Sequence, residues 1–312
     1  MIQTGGMDYD AIAAYFLTPS EATPPAPALP QSAARRLRDA VEAIATIGWW
    51  SREAASASID LGHGFFDGYV WGRAAALGSD VSPAVVTAAF GVFEPTMLTA
   101  VYEQGRSVSS AERILNARAI GAGDGLRAVC RAAAVEISVI EIFGAQLITA
   151  LAELDALGRT LFSALRSLPC PSDPYGQAWR AAELVREHRG DGHLAALATA
   201  GLEIVEANVL TECWLGYSVG EYSSSRGFSP DHVAHAADRL RNRGWLATDD
   251  TLTFAGTEVR EAIETATDQS QAALIAALGD DLEGIIAAGD SLTTAVLTAH
   301  AAPADPRKRA AG

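Results

Sequence analysis

Trp179-Arg180-Ala181-Ala182-Glu183-Leu184-Val185-Arg186-Glu187-His188-Arg189-Gly190-Asp191-Gly192-His193 starts as an ordinary amphipathic helix and then places six ionisable side chains within eight residues. An apolar run, Leu194-Ala195-Ala196-Leu197, follows at once. At 3.6 residues per turn, Arg186 and Arg189 continue the stripe of Trp179 and Ala182, and His188 continues that of Ala181 and Leu184. Some of these polar groups must lie on or beside a buried face, where an unpaired charge is costly. Such a cluster is either a closed structural network or a functional site. Gly190-Asp191-Gly192 reads as a break, with Asp191 placed to cap the helix that follows.

Working outward, Leu168-Pro169-Cys170-Pro171-Ser172-Asp173-Pro174 cannot continue a helix and marks the natural boundary between two halves. In the first half, Pro19 to Pro30 is a proline-dense arm preceded by a short amphipathic segment, Tyr9 to Leu17. A helix is expected from about Ser32 to Ile47, and Ser109-Ser110-Ala111-Glu112 has capping-box spacing. Gly121-Ala122-Gly123-Asp124-Gly125 reads as the end of that second helix, with Asp124 capping the next. In the second half, Leu202 to Trp214 is helical, and Ser229-Pro230-Asp231 starts a strong helix that Gly244 stops. Two short extended pieces, residues 245–248 and 251–254, flank Asp249-Asp250, and a last helix begins near Ala255. Helix, short helix, longer helix, small hairpin, helix is a winged-helix order. The expected class is all-α, with a helical amino-terminal half and a winged-helix carboxy-terminal half bearing a two-stranded wing. The expected segments are an arm at 1–30, a helical domain at 31–170, a winged-helix-like domain at 171–300 and a disordered tail at 301–312.

Composition agrees with close-packed helices. The chain has 312 residues, 49% of them hydrophobic and only 7% aromatic. The formal charge is −15, a field that repels nucleic acid and anionic membrane unless a local basic face overrides it. Lys308 is the single lysine, and Cys130, Cys170 and Cys213 match neither a disulfide framework nor a metal pattern. The amino terminus lacks signal-peptide character. The longest apolar stretch, Ile137 to Ala150, is short for a span and carries Glu141. The expectation is a cytoplasmic protein.

Residues 176–270 resemble an actinobacterial group named after its helix-turn-helix. The matching text is Arg186-Glu187-His188-Arg189-Gly190-Asp191-Gly192-His193, Ala200-Gly201-Leu202, Arg243-Gly244-Trp245, Leu252-Thr253 with Gly256, and Glu264 with Thr267-Asp268. Gly72-Arg73-Ala74-Ala75-Ala76-Leu77-Gly78 resembles that group's amino-terminal signature, with Ala76 where a proline is more usual. The winged-helix order is also similar to MarR-type regulators, which would put Ser229 to Arg243 in the recognition-helix position. Against DNA reading stand the acidic tip Asp249-Asp250 and a helix face that mixes Asp231 and Asp238 with Arg239.

Two constellations are candidates for chemistry. In the first, Arg186 and Arg189, with His193 beside them, are placed to hold a carboxylate or phosphate, while His188, Glu187 or Asp191 exchanges a proton. His188 and His193, five apart across the expected break and without a nearby cysteine, do not form a metal pair. The second is Gly62 to Arg73, where His63, Phe65, Phe66, Tyr69, Trp71 and Arg73 stand among four glycines and are expected to line a ligand pocket or to pack a tight loop. No phosphate-binding glycine loop or serine nucleophile elbow is present. The leading expectation is therefore a small-molecule-binding protein of specialised metabolism, taking an apolar or aromatic ligand between its halves. It needs no cofactor and no metal, and cofactor-independent acid/base chemistry of isomerase or cyclase type is open to it. DNA and membrane are not expected partners, and a homodimer is left open. The competing readings are a ligand-responsive regulator and a metabolite-sequestering resistance protein.

Overall fold

The structure, a computed structural model, describes residues 9–17, 31–303, 305 and 307. The proline arm at 19–30 and the tail beyond 307 lie outside the described residues. The first half contains α1 (Tyr9–Phe16), α2 (Ala33–Trp50), α3 (Arg52–Ile59), α4 (Phe65–Ala74), α5 (Pro83–Phe90), α6 (Pro95–Val108), α7 (Ala111–Ala132), α8 (Ile137–Ala152) and α9 (Thr160–Arg166). After the proline turn come α10 (Pro174–Thr199), α11 (Ile204–Leu215), α12 (Glu221–Ser225), α13 (Pro230–Asn242), α14 (Phe254–Gln269), α15 (Ala272–Leu278) and α16 (Leu282–Thr298).

Helix α10 is the spine. Asp173 caps its first turn and Pro174 occupies the position where a missing N–H costs nothing. It packs on α2, α7, α8, α9 and α14. Three apolar cores form along the chain. The largest draws Leu37 to Ile47 from α2, Leu126 from α7, Phe143 and Leu147 from α8, Trp179 to Val185 from α10, and Leu274 to Val296 from α15 and α16. It takes residues from both sides of the proline turn, so the prolines redirect the chain within one core. Ala301 and Ala302 belong to it as well. A second core gathers α4, α5 and α6 around Trp71, Phe90 and Tyr102. The third joins Leu197 of α10 to Leu210 of α11, Leu240 of α13 and Ile263 of α14.

Three expectations are corrected. The winged helix is absent: no strand forms among the described residues, and Leu246 and Leu252 make one isolated antiparallel bridge. Two backbone bonds hold this bend, Ala247 N–H to Thr251 at 2.8 Å and Thr253 N–H to Trp245 at 3.1 Å. Thr253 then turns straight into α14, capping Gly256 N–H with its hydroxyl. The pieces are too short, and without a third strand, to make a ladder. Gly190-Asp191-Gly192 does not break α10, and Gly121 to Gly125 does not end α7. Gly121, Gly125 and Gly192 are close-approach points. A Cβ at Gly192 would sit 2.9 Å from Ser270 Cβ, one at Gly125 2.8 Å from Ser51 Cβ, and one at Gly121 2.8 Å from Ala54 Cα. Asp124 pairs with Arg127 instead of capping a new helix.

The sign of one substitution tests this packing. In an exposed helix Gly→Ala gains about 1 kcal/mol. At Gly121 the added methyl meets backbone atoms of α3, so Gly121→Ala is expected to cost about 1–3 kcal/mol by urea denaturation. A gain would mean that α3 and α7 are farther apart than described.

Candidate functional site

The charged stretch of α10 is largely buried, and each charge is met by another helix. Glu187 lies between two guanidiniums: Arg73 of α4 donates to its two oxygens at 2.9 and 2.8 Å, and Arg186 donates at 2.9 Å. Arg186 also donates to Glu42 of α2 at 3.2 Å. The side chains of Arg73 and Glu187 are 7% and 3% exposed, so this is an ion pair out of water. Burial opposes ionisation of Glu187, but Arg73 and Arg186 outweigh it and hold the carboxyl below its usual range. One turn earlier, Glu183 takes Arg180 at 2.7 Å and Arg118 of α7. Two residues after Glu187, Arg189 donates to Glu264 at 3.0 Å and Asp268 at 3.2 Å on α14. Arg35 and Arg260 share the same carboxylates.

These groups edge a cavity of about 110 Å³ between α2, α4, α5, α10 and α11. Its polar wall includes Arg73, Arg186, Glu187, Arg189, Asp191 and His193. Its apolar wall includes Tyr69, Phe90, Phe93, Leu161, Val185 and Leu194. The structure therefore brings Tyr69 and Arg73 of the glycine-rich segment against the α10 cluster. Two other hollows adjoin it, one sharing Tyr69 and the other Asp191 with its wall. One of about 280 Å³ is lined by Trp49, His63, Phe65 and Tyr69, and a more open groove of about 630 Å³ runs between α10 and α14.

The remaining expected residues go elsewhere. His188 is outside the cavity wall; its Nδ1 meets Gln271 Oε1 at 2.7 Å and its ring lies edge-on to Phe162. Burial pushes it down to about 4, with help from Arg159 and Arg166, so it is neutral at pH 7. Asp191 does line the cavity, yet its carboxylate accepts the Phe162 N–H at 2.9 Å, capping the start of α9 rather than any helix after it. Burial pushes Asp191 up to about 6. His193 bonds Thr267 at 2.9 Å. Burial, then Arg260 and Arg189, hold its pKa well below the usual value. His63 sits between Asp67 at 2.9 Å and Ser109 at 2.8 Å, the order of a serine relay. Ser109 stands on none of the three cavity walls, and the triplet ties the α6–α7 turn to the start of α4. Trp71 is buried with its indole N–H on the Ser109 carbonyl, Phe66 stacks on Tyr69, and Phe65 packs against Trp50. Among the described residues no group of three or more His, Cys, Asp or Glu is placed to hold a metal ion. Among them too, no single helix is long and apolar enough to cross a membrane, and only two bent pairs of helices reach that length and apolarity together.

Sequence reasoning missed Arg35, Arg38 and Glu42. They stand three and four apart on α2, a spacing that puts them on one face, and that was the available signal. In the second half α11, α12 and α13 form a compact trio. Buried Glu212 of α11 accepts the N–H groups of Gly220 and Ser223 and so fixes α12, and Gly227 turns the chain into α13 at φ 91°. A helix-turn-helix family model matches residues 34–303.

The chain belongs to this helix-turn-helix family. Neither a curated protein nor a solved structure matches it. The helix-turn-helix is stitched to the spine through the same segments whose text stood out in the sequence. Arg243 donates to the carbonyls of Gly201 and Ala200 at 3.1 and 3.2 Å. Gly256 leaves room for the Trp245 carbonyl. Glu264, Thr267 and Asp268 receive Arg189 and His193.

Two outcomes test this site. Arg73→Ala strands Glu187 beside a single guanidinium and is expected to cost about 3–5 kcal/mol, while Arg73→Met with Glu187→Met together recovers much of that. A simple sum of the two single effects would contradict the coupling. The second concerns pH. The folded-state pKa of His188 is depressed, so its contribution is present above about pH 6.5 and is lost as pH falls toward 4. Raised Asp191 acts oppositely, favouring the fold as pH falls through about 6. Between pH 7.5 and 5.0, His188→Gln is expected to remove about 2 kcal/mol of acid destabilisation, read by denaturation at both pH values.

Proposed function

We propose that the protein binds a small apolar or aromatic molecule in the cavity between α4, α5, α10 and α11, with the α10 charges orienting it. The observation that carries this is the wall itself. Aromatic and aliphatic side chains face a short run of buried, convergent polar groups, which is the composition of ligand sites. A volume of about 110 Å³ suits one ring or a short chain, since apolar cavities of about 150 Å³ take up benzene. Asp191 is the wall carboxyl whose proton moves nearest neutrality, which makes it the residue for any acid/base step. Saturating benzyl alcohol or benzoate is expected to raise the melting temperature of the wild type. Leu194→Trp, which fills the space, should abolish the shift. An unshifted wild type with both compounds would end this reading.

Family membership favours a second reading, a ligand-responsive regulator of transcription. The charge pattern weighs against it. Arg239 pairs with Glu203 and Glu206, and Arg241 with Asp238 and Asp250. Arg243 lies over the Trp245 ring and near Glu206. Cations already neutralised within the chain have little to offer phosphates. Mobility-shift assays against the DNA upstream of its gene are expected to give no sequence-dependent retardation below micromolar protein. Sub-micromolar retardation would make the regulator the better account.

A further inference from the structure

The buried charges around the cavity do not cancel everywhere, and the imbalance is local. Around Glu187 they do cancel: Glu42 and Glu187 face Arg73 and Arg186. A little farther along α10 they do not. Among the described residues, Arg35, Arg189 and Arg260 pair only with Glu264 and Asp268. Adding Arg38 with Asp39, or Asp191 with the Arg159 guanidinium that attracts it, changes nothing, because each pair is itself neutral. One positive charge is left over in a region where the side chains of Arg35, Arg189 and Arg260 are 3%, 9% and 2% exposed.

An uncompensated charge this deep is expensive unless something supplies its counter-charge. Three side chains from this corner, Arg38, Arg189 and His193, stand on the cavity wall, and among the described residues the Nε of Arg189 has no hydrogen-bond partner. His193 directs its Nδ1 at Thr267, whose hydroxyl donates to the Ile263 carbonyl. The neutral imidazole therefore donates its Nδ1–H to the Thr267 hydroxyl oxygen and supplies no counter-charge. Burial and the neighbouring guanidiniums pull Arg189 and Arg260 down to about 9.

We infer that the molecule bound in this cavity is a small carboxylate, whose single negative charge sits against Arg189 and whose apolar body lies along Phe90, Phe93 and Leu194. The inference rests on the cavity reading above and adds the chemical class. A carboxylate matches a deficit of one charge, and a planar acid suits guanidinium donors better than a neutral hydroxyl does. The same corner explains the uneven roles of the arginines. Arg73 and Arg186 are already balanced and hold the helices, whereas Arg189 is in excess.

The test compares benzoate, benzyl alcohol and phenyl phosphate by calorimetry on the full chain, for the wild type and Arg189→Gln. Benzoate is expected to bind the wild type at least tenfold more tightly than benzyl alcohol. Arg189→Gln balances Arg35 and Arg260 against Glu264 and Asp268, so it should fold with an unchanged or raised melting temperature. It should lose the preference for benzoate while keeping benzyl alcohol. Equal affinity for benzoate and benzyl alcohol in the wild type overturns the carboxylate assignment and leaves the apolar cavity standing. Tighter binding of phenyl phosphate overturns the single-charge match. Binding of none of the three overturns the cavity reading itself. Should Arg189→Gln fail to fold, Asp268→Asn raises the excess without touching the cavity wall, and benzoate should then tighten at least threefold. No change, or weaker binding, would again refute the assignment.

Discussion

A carboxylate buried between two guanidiniums sets the terms for the whole molecule. Glu187 has left water, and the attraction of Arg73 and Arg186 offsets that desolvation only while α4 and α10 keep their positions. Arg186 reaches on to Glu42 and adds α2. The same logic, a few residues to either side, fastens α7 through Arg118 and α14 through Glu264 and Asp268. Apolar packing supplies the bulk of the drive to fold, and it is non-directional. The ion pairs are directional, so they choose the rotation of each helix about the spine.

That division of labour makes the candidate site a by-product of assembly. Helices locked by buried charge cannot all close on one another perfectly, and the space left over lies where α4, α5, α10 and α11 meet. Its walls inherit charged groups from the locking network and apolar groups from the second and third cores. The cavity is therefore polar on one side and greasy on the other without any segment having to be inserted for that purpose.

Much of this was legible in the sequence, and the failures share a cause. The cap at Ser229 with Pro230 behind it is a local signal, and the helix it opens lies where that signal puts it, as does the helix expected from about Ser32. The glycine triplets in α7 and α10 and the extended pieces near Trp245 misled because a glycine or a short apolar run means different things in different surroundings. Gly121 and Gly192 exist for a partner helix brought close by the chain far away, and nothing within ten residues announces that partner. The charged cluster was conspicuous, but which of its members would face open space was not. His188 and Arg189 are adjacent in sequence, and the helical turn sends one to Gln271 and the other to the cavity. The partners on α2 and α14 were hidden because charges at three- and four-residue spacing look the same on a solvated face as on a buried one.

Helix α10 also has a mechanical meaning. Its 26 residues span about 39 Å without interruption, from the first core to the third. The helical body and the helix-turn-helix are thus mounted on one rod, with no flexible joint along it. A load on the middle of that rod, around Arg189, meets no break in the helix that could absorb it. Any displacement there reaches α11 to α13 as a change in tilt, as a beam carries a load applied at midspan to its far end.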